Sequence, residues 1–191
     1  MSEVSRRELL RNLALSAATV GLTVVDAQHV HEAASDAKKT NGGVYKQKAF
    51  TDHEYSTIRS MSELIFPGAT EGGAAEFIDL LASNNVDLQT IYTGGIAWVD
   101  HQMMTRYNAA FVDAKPGDQT AMLDLIAYRK NETPELAPGI RFFDWIRKMT
   151  SDAYYTSKPG IADLGFVGNK GMSKFEVPVE AIQYALKRSG L

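Results

Sequence analysis

The sequence contains no cysteine among its 191 residues. A chain without thiols holds no disulfide, no cysteine-ligated iron–sulfur cluster and no haem attached through a CxxCH motif. Runs of apolar residues are short, and none approaches the ~20 that a membrane-spanning helix requires. These three kinds of cysteine-dependent site are therefore excluded from this chain, and a spanning helix is not expected.

Signals for nucleic-acid and nucleotide binding are absent as well. Twenty basic and 23 acidic residues give a net charge of −3, without the clustered Lys and Arg of a nucleic-acid footprint. No G-x-G-x-x-G follows a strand pattern, and the glycines at 160, 165 and 168 lack the Lys-Ser/Thr of a phosphate loop. We therefore expect no nucleic-acid partner and no FAD, haem or metal bound by this chain.

The first 27 residues have the pattern of a twin-arginine export signal. Arg6 and Arg7 precede a mildly apolar stretch from Leu13 to Val25, and Ala27 offers a small residue where a signal peptidase would cut. Two glutamates dilute the positive charge, so an ordinary amphipathic N-terminal helix is the alternative. The signal interpretation predicts export by the Tat translocon to the periplasm.

Residues 28–48 are polar and contain a glycine pair, which is typical of a flexible linker. His29 and His31 could touch a metal ion, but no carboxylate or cysteine set surrounds them, which favours a solvated tail. A single domain is then expected over residues 49–191, because the composition of the full chain, 45% hydrophobic and 23% charged, is that of an ordinary globular protein.

Apolar residues in this domain recur with helical periodicity, and no alternating strand pattern of useful length is present. The sequence predicts an all-α fold, an irregular bundle of about five to six helices with a glycine- and aromatic-rich C-terminal loop. Thr51 and Glu54 form a capping-box pattern before the first of these helices. Buried stripes are predicted at Tyr55, Ile58, Met61, Ser62 and Ile65; at Ala74, Phe77, Ile78 and Leu81; at Leu88, Ile91, Tyr92, Gly95, Trp98, Val99, Met103, Tyr107 and Ala110; at Met122, Leu125 and Ile126; and at Phe142, Ile146, Met149 and Ala153.

Two features qualify this helical pattern. Gly94 and Gly95 weaken the longest helix by up to ~2 kcal/mol relative to alanine, which indicates a close helix crossing or a bend. Pro178 suits the first turn of a short terminal helix, whose Ile182 and Leu186 are expected to be buried.

The stretch from residue 141 to 169 is the most informative part of the chain. After the helix, Ser157 to Gly160 predict a stop, and Tyr154, Tyr155 and Phe166 then place much apolar area on a loop. One interpretation is an ordered loop folded onto its own helices, and the other is a surface that docks on a partner. Trp98 and Met103, on the broad apolar face of the long helix, are the next docking candidates.

No catalytic constellation is found. Asp100 and His101 could suggest acid–base chemistry, but adjacent side chains on a helix point about 100° apart. A solvated or interface role is therefore favoured for both residues. The sequence assigns no catalytic, cofactor-binding or metal-binding residue.

Three segments resemble the gluconate 2-dehydrogenase subunit 3 family: FTDHEYSTIRSMSELIFPGATEGGAAEFID, PGDQTAMLDLI and AYYTSKPGIADLGFVGN. The resemblance covers roughly residues 48 to 169, and the C-terminal VPVEAIQYALKRSGL has no counterpart in it. It implies a small, non-catalytic subunit that accompanies a large FAD-dependent sugar or alcohol dehydrogenase, often together with a haem-containing cytochrome c subunit. It also implies that the FAD and the catalytic base belong to the large subunit.

The expected function is therefore that of an exported escort for a flavoprotein, acting at the membrane through its complex. A small subunit that carries the twin-arginine signal can bring a folded partner without a signal along with it. The alternatives are a stand-alone exported structural protein and a ligand-binding protein, and co-purification of a flavoprotein separates these from the escort.

Overall fold

A computed structural model describes residues 24–165 and 177–189, with side chains from residue 27 onward. Those ranges contain eight α-helices, two short 3-10 helices and no strand, which confirms the predicted all-α fold. The helix number exceeds the expected five to six because residues 24–40 and 158–163, where the sequence suggested a signal with a linker and a loop, each form a helix. The α-helices are α1 Val24–Thr40, α2 Asp52–Ile65, α3 Ala74–Ala82, α4 Val86–Tyr107, α5 Pro116–Ile126, α6 Ala137–Thr156, α7 Lys158–Asp163 and α8 Val179–Ser189, and the 3-10 helices are Phe111–Asp113 and Arg129–Asn131.

Helix α2 begins at the predicted capping box. The Glu54 N–H donates to Thr51 Oγ1 at 3.3 Å, and the Thr51 N–H donates to Glu54 Oε2 at 2.9 Å. Both donors would otherwise be unsatisfied at the helix N-terminus, so this exchange defines where α2 starts.

Helix α6 lies at the centre of the bundle and packs against α1, α2, α3, α4 and α5. Its predicted stripe of Phe142, Ile146, Met149 and Ala153 is buried throughout. A helix that is in contact with so many neighbours organises the core, because each neighbour buries its own stripe against it.

The crossing of α4 and α6 depends on two glycines. A Cβ atom at Gly95 would lie 2.1 Å from the Phe142 ring, and one at Gly139 would lie 2.1 Å from the Trp98 ring. Each helix therefore accepts an aromatic ring from the other at a residue without a side chain. This confirms the close crossing expected at the glycine pair of α4.

Helix α1 differs from the flexible linker expected over residues 28–48. Ala27, Val30, Ala33 and Ala34 are all buried, and α1 packs against α3 and α6. Small residues at helical spacing let this polar helix approach the core closely, a pattern that composition alone obscures. The predicted cleavage point after Ala27 thus falls inside a helix, whereas Arg6 and Arg7 lie outside the described residues.

The chain that follows α1 is held by one buried carboxylate. Asp79 accepts hydrogen bonds from the Tyr45 hydroxyl at 2.7 Å and from the backbone N–H groups of Lys48, Ala49 and Phe50 at 2.8, 2.9 and 3.3 Å. A fully buried carboxylate with four donors is satisfied, and it fixes this extended segment on α3.

The C-terminal helix α8 forms at the expected position, but it does not pack as expected. Ile182 and Leu186 are 45% and 44% exposed, and no residue of α8 is buried. Their spacing was sufficient to predict an amphipathic helix and not sufficient to predict a contact. Within the described ranges, no helix combines the length and the hydropathy needed to cross a bilayer.

Candidate functional site

Three aromatic side chains from two distant parts of the chain form a cluster at one end of the bundle. Phe66, the residue that ends α2, stacks on Tyr154 at 6.2 Å between ring centroids and meets the edge of Tyr155 at 5.6 Å. Tyr154 and Tyr155 contact each other edge to face at 5.2 Å. All three are half-buried, so part of each ring faces solvent. We call Phe66, Tyr154 and Tyr155 the aromatic platform.

The turn after Phe66 is fixed beneath this platform. The Glu63 carboxylate accepts the backbone N–H groups of Gly68 and Thr70, both at 2.8 Å. These hydrogen bonds hold the pKa of the Glu63 carboxyl below its usual range, so the group is charged at neutral pH. Gly68 has a φ of 91°, which an L side chain rarely adopts, and the turn therefore requires glycine here.

The end of α6 interlocks with the same turn. A Cβ atom at Gly72 would lie 3.0 Å from Ser157 Oγ and 3.1 Å from the Tyr154 ring. The Ser157 hydroxyl donates to the Tyr154 carbonyl at 2.6 Å and accepts the Gly160 N–H at 3.3 Å. A Cβ atom at Gly160 would lie 1.9 Å from the Tyr154 carbonyl oxygen, so the chain can only restart as a helix at this angle with glycine there.

This geometry changes the expected loop after residue 157. The stop at Ser157 is present, but Lys158–Asp163 forms the short helix α7 rather than a loop, because Ser157 caps it and Pro159 suits its first turn. Phe166, the third aromatic residue assigned to the docking loop, lies outside the described residues. Phe66 takes its place in the cluster, although the sequence separates it from Tyr154 by 88 residues.

The two tyrosines of the platform differ in their surroundings. Tyr154 packs over Gly68 and Gly72 and stacks on Phe66, so it fills the space between the turn and α6. Tyr155 meets the rings of Phe66 and Tyr154 edge to face, and neither tyrosine hydroxyl has a hydrogen-bond partner among the described residues. Of the two, Tyr155 is the side chain available to a partner.

The docking candidates on α4 lie elsewhere. Met103 is fully buried, so it belongs to the core and cannot contact a partner in this arrangement. Trp98 is half-buried against Gly139 and therefore serves the crossing of α4 and α6. The apolar face of α4 is broad because it contacts both α6 and other helices, which periodicity alone does not distinguish from an exposed surface.

Asp100 pairs with His53, 47 residues away, and not with its neighbour His101. Asp100 Oδ2 lies 2.6 Å from His53 Nε2, and its Oδ1 accepts the Phe111 N–H at 2.9 Å. The Asp100 carboxylate thus connects α2 and the 3-10 helix Phe111–Asp113 to α4, while His101 is exposed. Asp100 and His101 do not pair, as expected from their adjacency on a helix, but no local sequence signal predicted the pairing of Asp100 with His53, 47 residues away.

His31 is the other histidine with a specific environment. Its Nε2 lies 3.1 Å from Thr156 Oγ1, and its ring is 5.0 Å from that of Phe77. Burial lowers the pKa of His31 and outweighs the opposing effects of the Ala153 backbone and of Glu76. The searched residues, those that the structure describes, contain no group of three or more His, Asp or Glu placed to hold a metal ion.

Comparison with known proteins identifies one family. The profile described as "Gluconate 2-dehydrogenase subunit 3" matches residues 52–172, well over half of the chain. The match starts at α2 and ends before α8, so it contains the whole aromatic platform and leaves α1 and α8 outside. No curated protein and no solved structure gives a significant match.

Proposed function

The chain belongs to the gluconate 2-dehydrogenase subunit 3 family, whose name describes a subunit of a dehydrogenase complex. From this premise we propose that the chain escorts and stabilises an FAD-dependent catalytic subunit. In this proposal the partner oxidises a CH–OH group of a sugar or alcohol and holds the FAD. A cytochrome c subunit with haem is the second expected partner. The chain itself performs no chemistry and acts through its contacts at the membrane.

The observation that carries the proposal is the aromatic platform. Partly exposed tyrosines at a rigid position are typical of interface hot spots, because they bury a large area at little cost in conformational entropy. Glu63 and the glycines at 68 and 72 hold the platform in place before any partner arrives. A preorganised surface of this kind favours docking, since less conformational freedom is lost on binding.

The decisive substitution is Tyr155→Ala. We expect it to reduce the amount of flavoprotein that co-purifies with the chain, because truncating a central aromatic hot spot costs ~2 kcal/mol or more of binding energy. The isolated variant should keep its helical circular dichroism and most of its melting temperature. Flavin absorbance per mole of purified chain is the measurement.

Two matched variants make this test specific. Tyr155→Phe keeps the ring and should retain the complex, whereas Tyr154→Ala should lower the melting temperature of the isolated chain because it empties the space over Gly68 and Gly72. If Tyr155→Ala unfolds the chain or leaves the flavoprotein yield unchanged, the platform is structural. Flavin bound by the purified single chain would favour the ligand-binding alternative instead.

Export is the second part of the proposal. Arg6 and Arg7 precede an apolar segment in the order typical of a twin-arginine signal. Replacing both with lysine should retain the chain and its catalytic partner in the cytoplasm, as measured by immunoblots of cell fractions. Normal periplasmic levels of the double variant would contradict the export role while leaving the docking role untouched.

A further inference from the structure

Helix α8 presents an apolar stripe that none of the described residues buries. Val179, Ile182 and Leu186 share one face of the helix and are 62%, 45% and 44% exposed. Eleven residues are too few for a helix to be stable alone in water, since isolated helices shorter than about 12–15 residues are marginal. The helix therefore requires a surface to pack on.

The body of the chain offers an apolar cleft between α2, α5 and α6. Its volume is about 320 Å³. The cleft contains Leu64 and Tyr128, two large side chains that are exposed in the body of the chain. The exposed fraction is 40% for Leu64 and 53% for Tyr128. Leu123 and Phe143 are buried at its base. The cleft thus has an apolar floor and exposed apolar side chains at its edge, which is what the apolar face of an amphipathic helix needs.

Charges on the rim of the cleft match charges on the helix. Asp124 and Arg147 both line the cleft, and Asp124 has no hydrogen bond or ion pair within the described part of the chain. On α8, Glu180 and Lys187 lie seven residues apart, so they occupy the same flank of the stripe about two turns from each other. The orientation that brings Lys187 to the unpaired Asp124 also turns Glu180 towards the side of Arg147, which itself pairs with Asp144 at 3.1 Å, so the charges of helix and cleft are complementary in that orientation.

The connection to α8 is long enough for this arrangement. Residues 166–176 separate the described body from the segment that leads into α8, and eleven residues reach up to roughly 35–40 Å when extended. A connection of eleven residues keeps α8 near its own chain, so the helix meets its own cleft at a higher effective concentration than the cleft of another chain. An intrachain contact is thereby favoured over one with a second copy.

We propose that the apolar stripe of α8 docks into the cleft between α2, α5 and α6 of the same chain, with Lys187 beside Asp124. The docked helix covers Leu64 and Tyr128 and extends the apolar core beyond the part of the chain that the family shares. Phe66, which lines the cleft and belongs to the aromatic platform, then places the docked helix next to the proposed interface.

The absence of native cysteine makes this contact directly measurable. In the full chain, Leu186→Cys combined with Tyr128→Cys should form an intrachain cross-link with a short bismaleimide roughly tenfold faster than a control pair. The control is Tyr184→Cys with Tyr128→Cys, because Tyr184 lies about 160° from Leu186 around the helix. Intact mass of the monomer band reports the reaction.

A charge reversal tests the orientation. Asp124→Lys in the Leu186/Tyr128 cysteine pair should slow the cross-link about twofold to fivefold, the range for one exposed ion pair, and adding Lys187→Glu should restore it. Circular dichroism confirms that each variant is folded. Equal rates for the Leu186 and Tyr184 pairs, cross-links only between two chains, or cross-links only to the catalytic subunit would each overturn the proposal.

Discussion

At the scale of single residues, Gly94 and Gly95 are adjacent in α4 and have opposite surroundings. A Cβ atom at Gly94 would meet nothing within 4 Å, whereas one at Gly95 would lie 2.1 Å from the Phe142 ring. Each glycine lowers helix propensity by the same amount, so the stability effects of replacing them differ only through packing. Substitutions at the two positions therefore measure how much the stability of the α4–α6 crossing depends on the close approach of the two helices.

Replacing each glycine with alanine should change stability in opposite directions. Gly95→Ala should destabilise the chain by about 1–3 kcal/mol, because the new methyl group forces the Phe142 ring out of its position. Gly94→Ala should stabilise it by about 0.5–1 kcal/mol through helix propensity alone. Urea unfolding of the two variants gives both values, and equal changes would show that Phe142 relaxes freely.

At the scale of elements, α1 joins the body through a narrow stripe of small residues. Ala27, Val30, Ala33 and Ala34 face α3 and α6, while Lys38 forms an ion pair with Glu76 at 2.7 Å. Most other positions of the helix face water, which gives the segment the composition of a linker. The helix therefore belongs to the folding unit although the family match begins at residue 52.

The contribution of α1 to the stability of the fold can be measured with one charged substitution. Val30→Asp places an unpaired carboxylate at a position with 0% exposure, and we expect a loss of about 3 kcal/mol or more, or detachment of α1. The matched control is Gln28→Asp, an exposed position on the same helix that should change stability by no more than ~0.5 kcal/mol. Should both variants unfold at the same urea concentration as the parent chain, α1 is a linker after all.

At the scale of the whole molecule, three groups among the described residues have lowered pKa values and contribute to the response to acid. His31 has a lowered pKa, so the folded state binds its proton less readily than the unfolded state does. Stability from His31 is therefore present above the unfolded pKa of 6.5 and is lost as pH falls through the window below it. Glu54 and Glu63 also have lowered pKa values. Burial alone would raise the pKa of Glu54, but its hydrogen bonds with Thr51 outweigh the effect of burial. For Glu63, the hydrogen bond from the Gly68 N–H is the main cause of the lowered pKa.

The carboxylates act in a lower window than His31, because their stabilising effect is present above the usual pKa of 4.5 and is lost below it. Between pH 7.5 and 5.5 the loss of stability should therefore depend on His31. His31→Gln removes the titrating ring and should flatten the urea midpoint over this range while leaving the fall below pH 4.5 in place. A variant with the same slope as the parent chain would show that His31 does not carry the effect.

Periodicity and caps determined much of this protein from the sequence alone. The stripe of α6, the capping box of α2, the glycine pair of α4 and the helix stop at Ser157 are all signals carried by residues within one or two turns of each other. Interactions of this range are encoded locally, so a single sequence reveals them. The family resemblance, and with it the place of the chain in a dehydrogenase complex, also came from short local motifs.

Only the tertiary structure decided which apolar faces are covered. It placed Met103 in the core, left Ile182 and Leu186 of α8 exposed, and brought Phe66 to Tyr155 to form the candidate docking surface. It also paired His53 with Asp100 across 47 residues. An amphipathic stripe shows that a helix has an apolar side. Which helix covers that side depends on the three-dimensional arrangement of all helices. Burial requires two surfaces in contact, and the sequence of one helix describes only the surface of that helix.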